Sequence, residues 1–424
     1  MPPESQPPGP PRNWRRGFWS LIVTQFQGAF SDNAQKNLVI LLILGAGLPQ
    51  AEKDRLVPYV LVLFAVPFIL FSMAGGYLAD RYSKRSAAIG TKCFEIVVMC
   101  VAVVGLARGN LALELSAIFL MNTVQAIFGP TKYGLLPEIL PLDKLSWGNG
   151  ILELGTFVAI LTGTVAAGFM SEDFRGRQIW SGAILVALAI FGALASLGIT
   201  RVPAADPQKK FRANFVGDLW AEMKIARRDR VLWIAVLANT YFWFLGGLLQ
   251  PIILLYGKEV LLLGDKQNTY LQAALAIGIG IGSLAAGYLS RGKIEYGLIP
   301  AGAIGLTIFA ASLATPGISF LGVAILLGFV GLFAGFFAVP VLALIQHRPS
   351  PERKGSMQAA ANLLSFVGVF LAAGAYRALV TDLHLTPSEV FLVGSGLTLL
   401  ATIYVCVALP ECVARMKAWV GATS

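Results

Sequence analysis

The chain has 424 residues, 56% of them hydrophobic and only 13% charged, with a mean hydropathy of +0.71. Soluble domains carry about 25% charged residues, so this composition excludes a soluble globular enzyme and predicts an all-α polytopic membrane protein. The net charge of +10 does not signal a nucleic-acid partner, because the basic residues fall in short segments between apolar runs, where orientation signals lie.

Residues 1–13 include Pro2, Pro3, Pro7, Pro8, Pro10 and Pro11 and read as a disordered tail. Twelve apolar stretches follow, at 18–45, 57–79, 86–107, 112–133, 146–169, 179–200, 231–256, 269–290, 297–315, 318–346, 356–380 and 388–410. Their continuous hydrophobicity excludes the alternating pattern of a membrane barrel, which leaves helices as the way to pair every backbone group in lipid. The first six form one bundle over 14–200, and the last six form a second over 231–410. Between them, in 201–230, Phe211, Phe215, Leu219, Trp220 and Met223 recur at helical spacing beside Lys224, Arg227 and Arg228, the pattern of a helix lying on a membrane surface. Residues 411–424 read as a tail. Gly76-Tyr77-Leu78 returns as Gly287-Tyr288-Leu289, and Ala166-Ala167-Gly168 as Ala372-Ala373-Gly374, as a duplicated six-helix unit would give.

If both termini are cytoplasmic, most of the 33 Lys and Arg fall on that side. Only Lys53, Arg55, Arg108, Arg175, Arg177, Lys258 and Lys266 fall opposite, which predicts this orientation in a cell membrane. Cys93, Cys100, Cys406 and Cys412 form no C-x-x-C pair, and His347 and His384 stand apart. No metal site, disulfide or cofactor is expected.

The most telling stretch is Phe30-Ser31-Asp32-Asn33-Ala34-Gln35-Lys36-Asn37, inside the first span. Asp32 lies about 21 Å along that helix from Phe18, at ~1.5 Å per residue, near the centre of a hydrocarbon core about 30 Å thick. A charge there costs roughly 2.5–3.5 kcal/mol on insertion scales. These groups are therefore expected to line a cavity or a helix interface. Asp32 and Lys36, four apart with the acid first, share a face and can pair.

After the second span comes Gly75-Gly76-Tyr77-Leu78-Ala79-Asp80-Arg81-Tyr82-Ser83-Lys84-Arg85. Gly76 permits close helix approach. Asp80 can accept hydrogen bonds from a helix N-terminus in the other half, while Arg81 and Arg85 can pair with acids or carbonyls on the same side. This run resembles the loop signature of the major facilitator superfamily, with Gly76, Asp80, Arg81, Lys84 and Arg85 in register. The resemblance implies a gating latch that shuts the cytoplasmic side. The second-half counterpart, Ser290-Arg291-Gly292-Lys293, lacks the aspartate, so the latch is expected to be one-sided.

Further blocks narrow the resemblance. Phe30-Ser31-Asp32-Asn33-Ala34, Phe128-Gly129-Pro130-Thr131-Lys132-Tyr133-Gly134, Asn149-Gly150-Ile151-Leu152-Glu153 and Gly335-Phe336-Phe337-Ala338-Val339-Pro340 are similar to the bacterial lysophospholipid transporters of that superfamily, in particular the branch fused to acyltransferases. This implies inward movement of lysophospholipid, notably lysophosphatidylethanolamine, across an inner membrane for re-acylation. A separate acyltransferase or acyl-carrier-protein synthetase is an expected partner, and the carrier itself is expected to be a monomer. No H-x-x-x-x-D acyltransferase motif is present, so the chain is not expected to be an enzyme. Gln250 stands where the stand-alone transporters carry a basic residue. After Asn362, Leu364-Ser365-Phe366 replaces a more polar run.

Lys92 and Glu95 on the third span, Lys132 on the fourth near its cytoplasmic end, and Asn149 and Glu153 on the fifth make the first half rich in intramembrane polar groups. The second half offers Tyr241-Phe242-Trp243-Phe244 and Phe329, Phe333, Phe336 and Phe337 instead. That division suits an amphiphile. A phosphate would meet Lys36, Lys92 or Lys132, an ammonium would meet Asp32, Glu95 or Glu153, and the chain would lie along the second half. Asn33, Asn37, Asn149, Gln250 and Asn362 complete the expected substrate-binding set. The competing readings are structural ion pairs among the first five helices, or a proton-coupled exporter of other amphipathic solutes.

Overall fold

The structure, a computed structural model, describes residues 13–210 and 214–421. The expected disordered tail lies outside the described residues apart from its last position, and so does Phe211. The chain is helical from end to end: α1 (Trp14–Gly45), α2 (Gln50–Arg81), α3 (Lys84–Arg108), α4 (Leu111–Ile139), α5 (Leu145–Asp173) and α6 (Ile179–Ser196) precede a short helix, α7 (Phe215–Ala226). Then come α8 (Arg230–Glu259), α9 (Asp265–Leu289), α10 (Leu298–Ser312), α11 (Phe320–His347), α12 (Lys354–Tyr376), α13 (Pro387–Ala408) and α14 (Pro410–Gly421). A π-helical turn, Arg377–Asp382, extends α12. The side that holds the α6–α8 connection is called the linker face below.

Ten helices among the described residues are long and apolar enough to cross a membrane. Two of the twelve expected spans fall short of that standard. The polar centre of α1 lowers its hydropathy, and α10 has only 15 residues, about 22 Å at ~1.5 Å per residue. The segment expected as a tail forms α14. Helix α4 continues to Ile139 through Pro130 and Pro137, so Lys132 sits about 10 Å inside its end rather than at it.

The two halves build different interiors. The second half has one large apolar core that runs through α8, α10, α11, α12 and α13, with a small cluster of Ala286, Leu298 and Val339 beside it. The first half is broken into smaller apolar clusters, one around Phe18, Leu21 and Leu136, another around Ala34, Met99 and Met121, and a third around Val39 and Ile118. Polar side chains of α1, α3 and α4 fill the gaps between them.

Small residues bring α9 and α11 to backbone contact. A Cβ on Gly331 would collide with the Leu275 carbonyl, and one on Gly335 with the Ser283 amide. In lipid, such close packing and its dispersion contacts hold helices together. Gly331→Val is expected to lower stability by about 1–3 kcal/mol through overpacking, read as an earlier unfolding midpoint in detergent.

Outside the bilayer-crossing segments, Asp229 caps α8 by accepting from the Val231 and Leu232 amides at 3.0 and 3.2 Å. Arg348, just past α11, clamps the same carboxylate at 2.8 and 2.9 Å. Burial alone would raise this carboxyl, but the Arg348 and backbone hydrogen bonds outweigh it and hold it below the ordinary value of 3.8. The stabilisation is therefore present above that value and is lost as pH falls through the depressed one. Asp229→Asn is expected to flatten the acid limb of a stability–pH profile measured by thermal unfolding.

Candidate functional site

The middle of α1 organises the first half. Gln27 reaches α3, where its amide nitrogen donates to Glu95 Oε1 at 2.8 Å and to Ser31 Oγ at 2.9 Å. Its carbonyl oxygen accepts from Lys92 Nζ at 3.0 Å. Lys92 also pairs with Glu95 at 2.7 Å, and its ammonium lies 5.4 Å from the Phe128 ring centre. Lys92 and Glu95 are fully buried. Their hydrogen-bonding capacity is spent on one another and on α1, so they act as an internal tie between α1 and α3, with no free face for a headgroup.

Asp32 and Lys36 are arranged differently. No direct ion pair joins them. Lys36 Nζ donates to Asn33 Oδ1 at 3.0 Å and lies 4.4 Å from the centre of the Phe64 ring on α2. The Asp32 carboxylate accepts no hydrogen bond from any described side chain, though its residue is mostly buried. Asn33 is held by its own helix through the Ala29 carbonyl at 2.9 Å, and Asn37 joins α1 to Thr164 of α5 at 3.1 Å. Of the expected headgroup residues, Asp32 and Lys36 thus keep unused bonding capacity.

Lys132, Tyr133 and Glu153 form a second polar point, between α4 and α5. The Tyr133 hydroxyl donates to Glu153 Oε1 at 3.0 Å, and the Lys132 ammonium lies 4.8 Å from the Tyr133 ring centre. All three are partly accessible. In the second half, Asn362 accepts from Gln358 at 3.2 Å and abuts Gly129 of α4. Gln250 is exposed on α8, far from the linker face, and bonds α9 only through its backbone carbonyl, which accepts from Gln272 at 3.0 Å. The structure does not bring Gln250 to the polar cluster. Aromatic walls do form: Phe242 stacks on Phe337 with ring centres 6.2 Å apart, and Phe68 of α2 stacks on Phe366 of α12 at 4.3 Å.

At the linker face the halves are bonded together. Asp80, at the end of α2, is fully buried and accepts from the Gly355 amide at 2.8 Å, the Ser356 amide at 3.0 Å and the Ser356 hydroxyl at 2.7 Å. These are first-turn groups of α12, where unpaired N–H groups and the helix dipole favour an anion. Lys209 from the connection adds an ion pair at 2.7 Å, and the Arg81 guanidinium bonds the Lys209 carbonyl. Gly76 makes the approach possible, since a Cβ there would lie 2.6 Å from that of Ala359. Lys84 and Arg85 work within the first half, Lys84 on Glu138 at 2.5 Å and Arg85 on the Leu197 and Ile199 carbonyls at 2.8 Å. Asn149, expected to meet substrate, instead exchanges two hydrogen bonds with Gln346 of α11, at 2.9 and 2.8 Å, and both residues are buried. It joins the halves.

Sequence reasoning missed Gln27, Gln346, Tyr133 and Lys209. The first two are amides set in or at the end of apolar spans, Gln27 two residues after Gln25, and that placement is the signal that could have found them. Tyr133 lay inside a recognised block. Lys209 is one of many basic residues in its segment and carries no such mark.

The profile of the Major Facilitator Superfamily matches residues 22–373. The chain belongs to the major facilitator superfamily. Members are secondary transporters rather than enzymes, and the fold agrees. The E. coli fucose:proton symporter FucP superposes with a TM-score of 0.75 at 13% identity, covering 94% of this chain and 99% of that one. The human organic anion transporter TETRAN superposes with a TM-score of 0.76 at 13% identity and the same coverage. In sequence, the lysophospholipid transporter LplT of Klebsiella pneumoniae is 29% identical over 379 residues, 88% of this chain and 90% of the relative. That of Salmonella paratyphi A is 29% identical over 371 residues, 86% and 88%. Against this family background, the tie between Lys92 and Glu95 is a scaffold element. Glu95→Gln is expected to destabilise by about 3–5 kcal/mol by stranding a buried ammonium, whereas Lys92→Met with Glu95→Leu restores most of the loss. Unfolding midpoints of the three proteins check this.

Proposed function

We propose that the protein carries lysophospholipid, lysophosphatidylethanolamine in particular, inward across a bacterial inner membrane for re-acylation, by alternating access. The observation that carries the reading is the division between the halves. Charged and amide groups with spare bonding capacity line the first, and the second is mainly hydrocarbon and aromatic, its buried polar groups uncharged apart from Glu295 among the described residues. A cargo with polar groups all round would be poorly served by such walls. A single-chain phospholipid has the matching asymmetry. The names of the LplT relatives point to the same cargo.

In this reading the Asp32 carboxylate receives the headgroup ammonium, and Lys36 exchanges Asn33 for the phosphate. Lys132 and Glu153 form a second station nearer the linker face. A 170 Å³ crevice among α8, α10, α11 and α13, walled by Phe242, Leu245, Phe337 and Val405, offers hydrocarbon-lined space for the chain. The linker face is the cytoplasmic one, by the excess of Lys and Arg on it. The bonds of Asp80 and of Asn149 then hold the cytoplasmic side shut in the conformation described.

The test is inward flipping of fluorescent lysophosphatidylethanolamine in proteoliposomes, beside diacyl lipid. The wild type is expected to flip the lyso lipid selectively, with a loss of tenfold or more in Asp32→Ala and Lys36→Ala, while folding is retained. Absence of flipping by the folded wild type would sink the cargo. Flipping that instead follows a pH gradient with other amphiphiles would favour a proton-coupled exporter.

A further inference from the structure

A second basic site lies on the linker face, outside the polar cluster. Arg16 of α1, Arg85 of α3 and Arg201, just past α6, line one 320 Å³ pocket together with Asn13 and Thr200. Arg85 is fixed in place by the Leu197 and Ile199 carbonyls. Arg16 and Arg201 are exposed and have no hydrogen bond or ion pair among the described residues. The start of α1 opens onto the same pocket. Asn13 makes no side-chain cap there, and the first turn holds no acidic residue. Its leading N–H groups and positive dipole end therefore lack a side-chain anion. Three guanidiniums and an uncapped helix start, with no carboxylate in the lining among the described residues, make a site for phosphate.

We propose that this pocket binds the phosphodiester headgroup of an anionic diacyl phospholipid in the linker-face leaflet. Two observations select a lipid over free phosphate. The pocket sits where α1 and α6 leave the bilayer, and it is flanked by apolar side chains turned outward: Leu194 is 62% exposed, Leu197 52% and Trp19 48%. Acyl chains would run along that surface while the headgroup sits among the arginines, with Trp19 at interface depth. The absence of Asp and Glu from the lining, among the described residues, selects against an ammonium-bearing, zwitterionic headgroup. The bound lipid also has something to act on. The segment that follows Arg201 bonds the latch region, through the Ser83 hydroxyl to the Val202 carbonyl at 2.7 Å and the Asp206 amide to the Asp80 carbonyl at 2.8 Å. A headgroup on Arg201 would steady this strap. The site is separate from the proposed cargo path and stands or falls independently of it.

The test uses the full chain in detergent, titrated with phosphatidylglycerol, with phosphatidylcholine and with inorganic phosphate, and reads the thermal unfolding midpoint. Phosphatidylglycerol is expected to raise the midpoint by several degrees more than either of the others. Arg16→Gln with Arg201→Gln is expected to lose at least half of that difference. Lys210→Gln with Arg228→Gln, which removes the same charge elsewhere on this face, is expected to keep it. Equal shifts with phosphatidylcholine would overturn the anionic headgroup. Equal shifts with inorganic phosphate would overturn the lipid. An undiminished shift in the arginine pair would overturn the site. Should that pair not fold, Arg201→Gln alone, read by the ratio of phosphatidylglycerol to phosphatidylcholine retained in native mass spectrometry, decides by the same criteria: a lower ratio supports the site and an unchanged one overturns it.

Discussion

A polar group inside hydrocarbon must find a partner or a cavity, and most of this structure follows from that requirement. Water is absent at mid-membrane, so amides and charges on α1 favour bonds to a neighbouring helix, open space or bonds to their own backbone, and Gln35, buried with its amide unpartnered among the described residues, is the exception. Gln27 takes the first course and draws α3 close, with Lys92 and Glu95 completing the exchange. Asp32 and Lys36 take the second course. The same helix thus serves as a structural strut over one stretch and as a lining over the next. The apolar clusters of the first half are small because this polar seam runs between them.

The second half has no such seam. Its large core and the small cluster of Ala286, Leu298 and Val339, with glycines seating α9 against α11, make a closely packed, mainly hydrocarbon body. A carrier built from one adaptable polar half and one stiff apolar half can change its polar contacts during a cycle without repacking its larger core. Interiors resist continuous deformation, so a change of state falls most easily where the halves meet, along interfaces that combine close packing with specific polar bonds.

Much of this was legible in the sequence because membrane folds are constrained by length and hydropathy. The helices appeared as apolar runs, and Asp80 was marked by its glycine-containing loop. What was not legible depends on rotation about helix axes. Lys92, Glu95 and Asn149 look like cavity residues by type and depth alone, yet they point at partners on neighbouring helices. Gln250 looks like a substrate group by its position in a resembling pattern, but it is exposed and its backbone carbonyl, rather than its side chain, is what bonds α9. Helix ends were also blurred where prolines sit, as at Pro130 and Pro137, because α4 tolerates both and continues. The 15-residue α10 was overestimated for a related reason: apolar residues run on past the last helical turn.

The seams at the linker face are unequal. Along α2 and α12 a buried carboxylate is held by two amides, a hydroxyl and an ammonium. Along α5 and α9 the contacts are neutral: Gly287 lies on the Trp147 backbone, and the Ser146 hydroxyl donates to the Lys293 carbonyl at 3.1 Å. Charge-assisted bonds are roughly twice as strong as neutral ones, so the two edges are bonded unequally. A door hung on one jamb swings from the other. For a door that opened at its more weakly bonded edge, the free edge would be the α5–α9 side, and the first gap would face the bilayer sideways, so the threshold would be lipid before it is water.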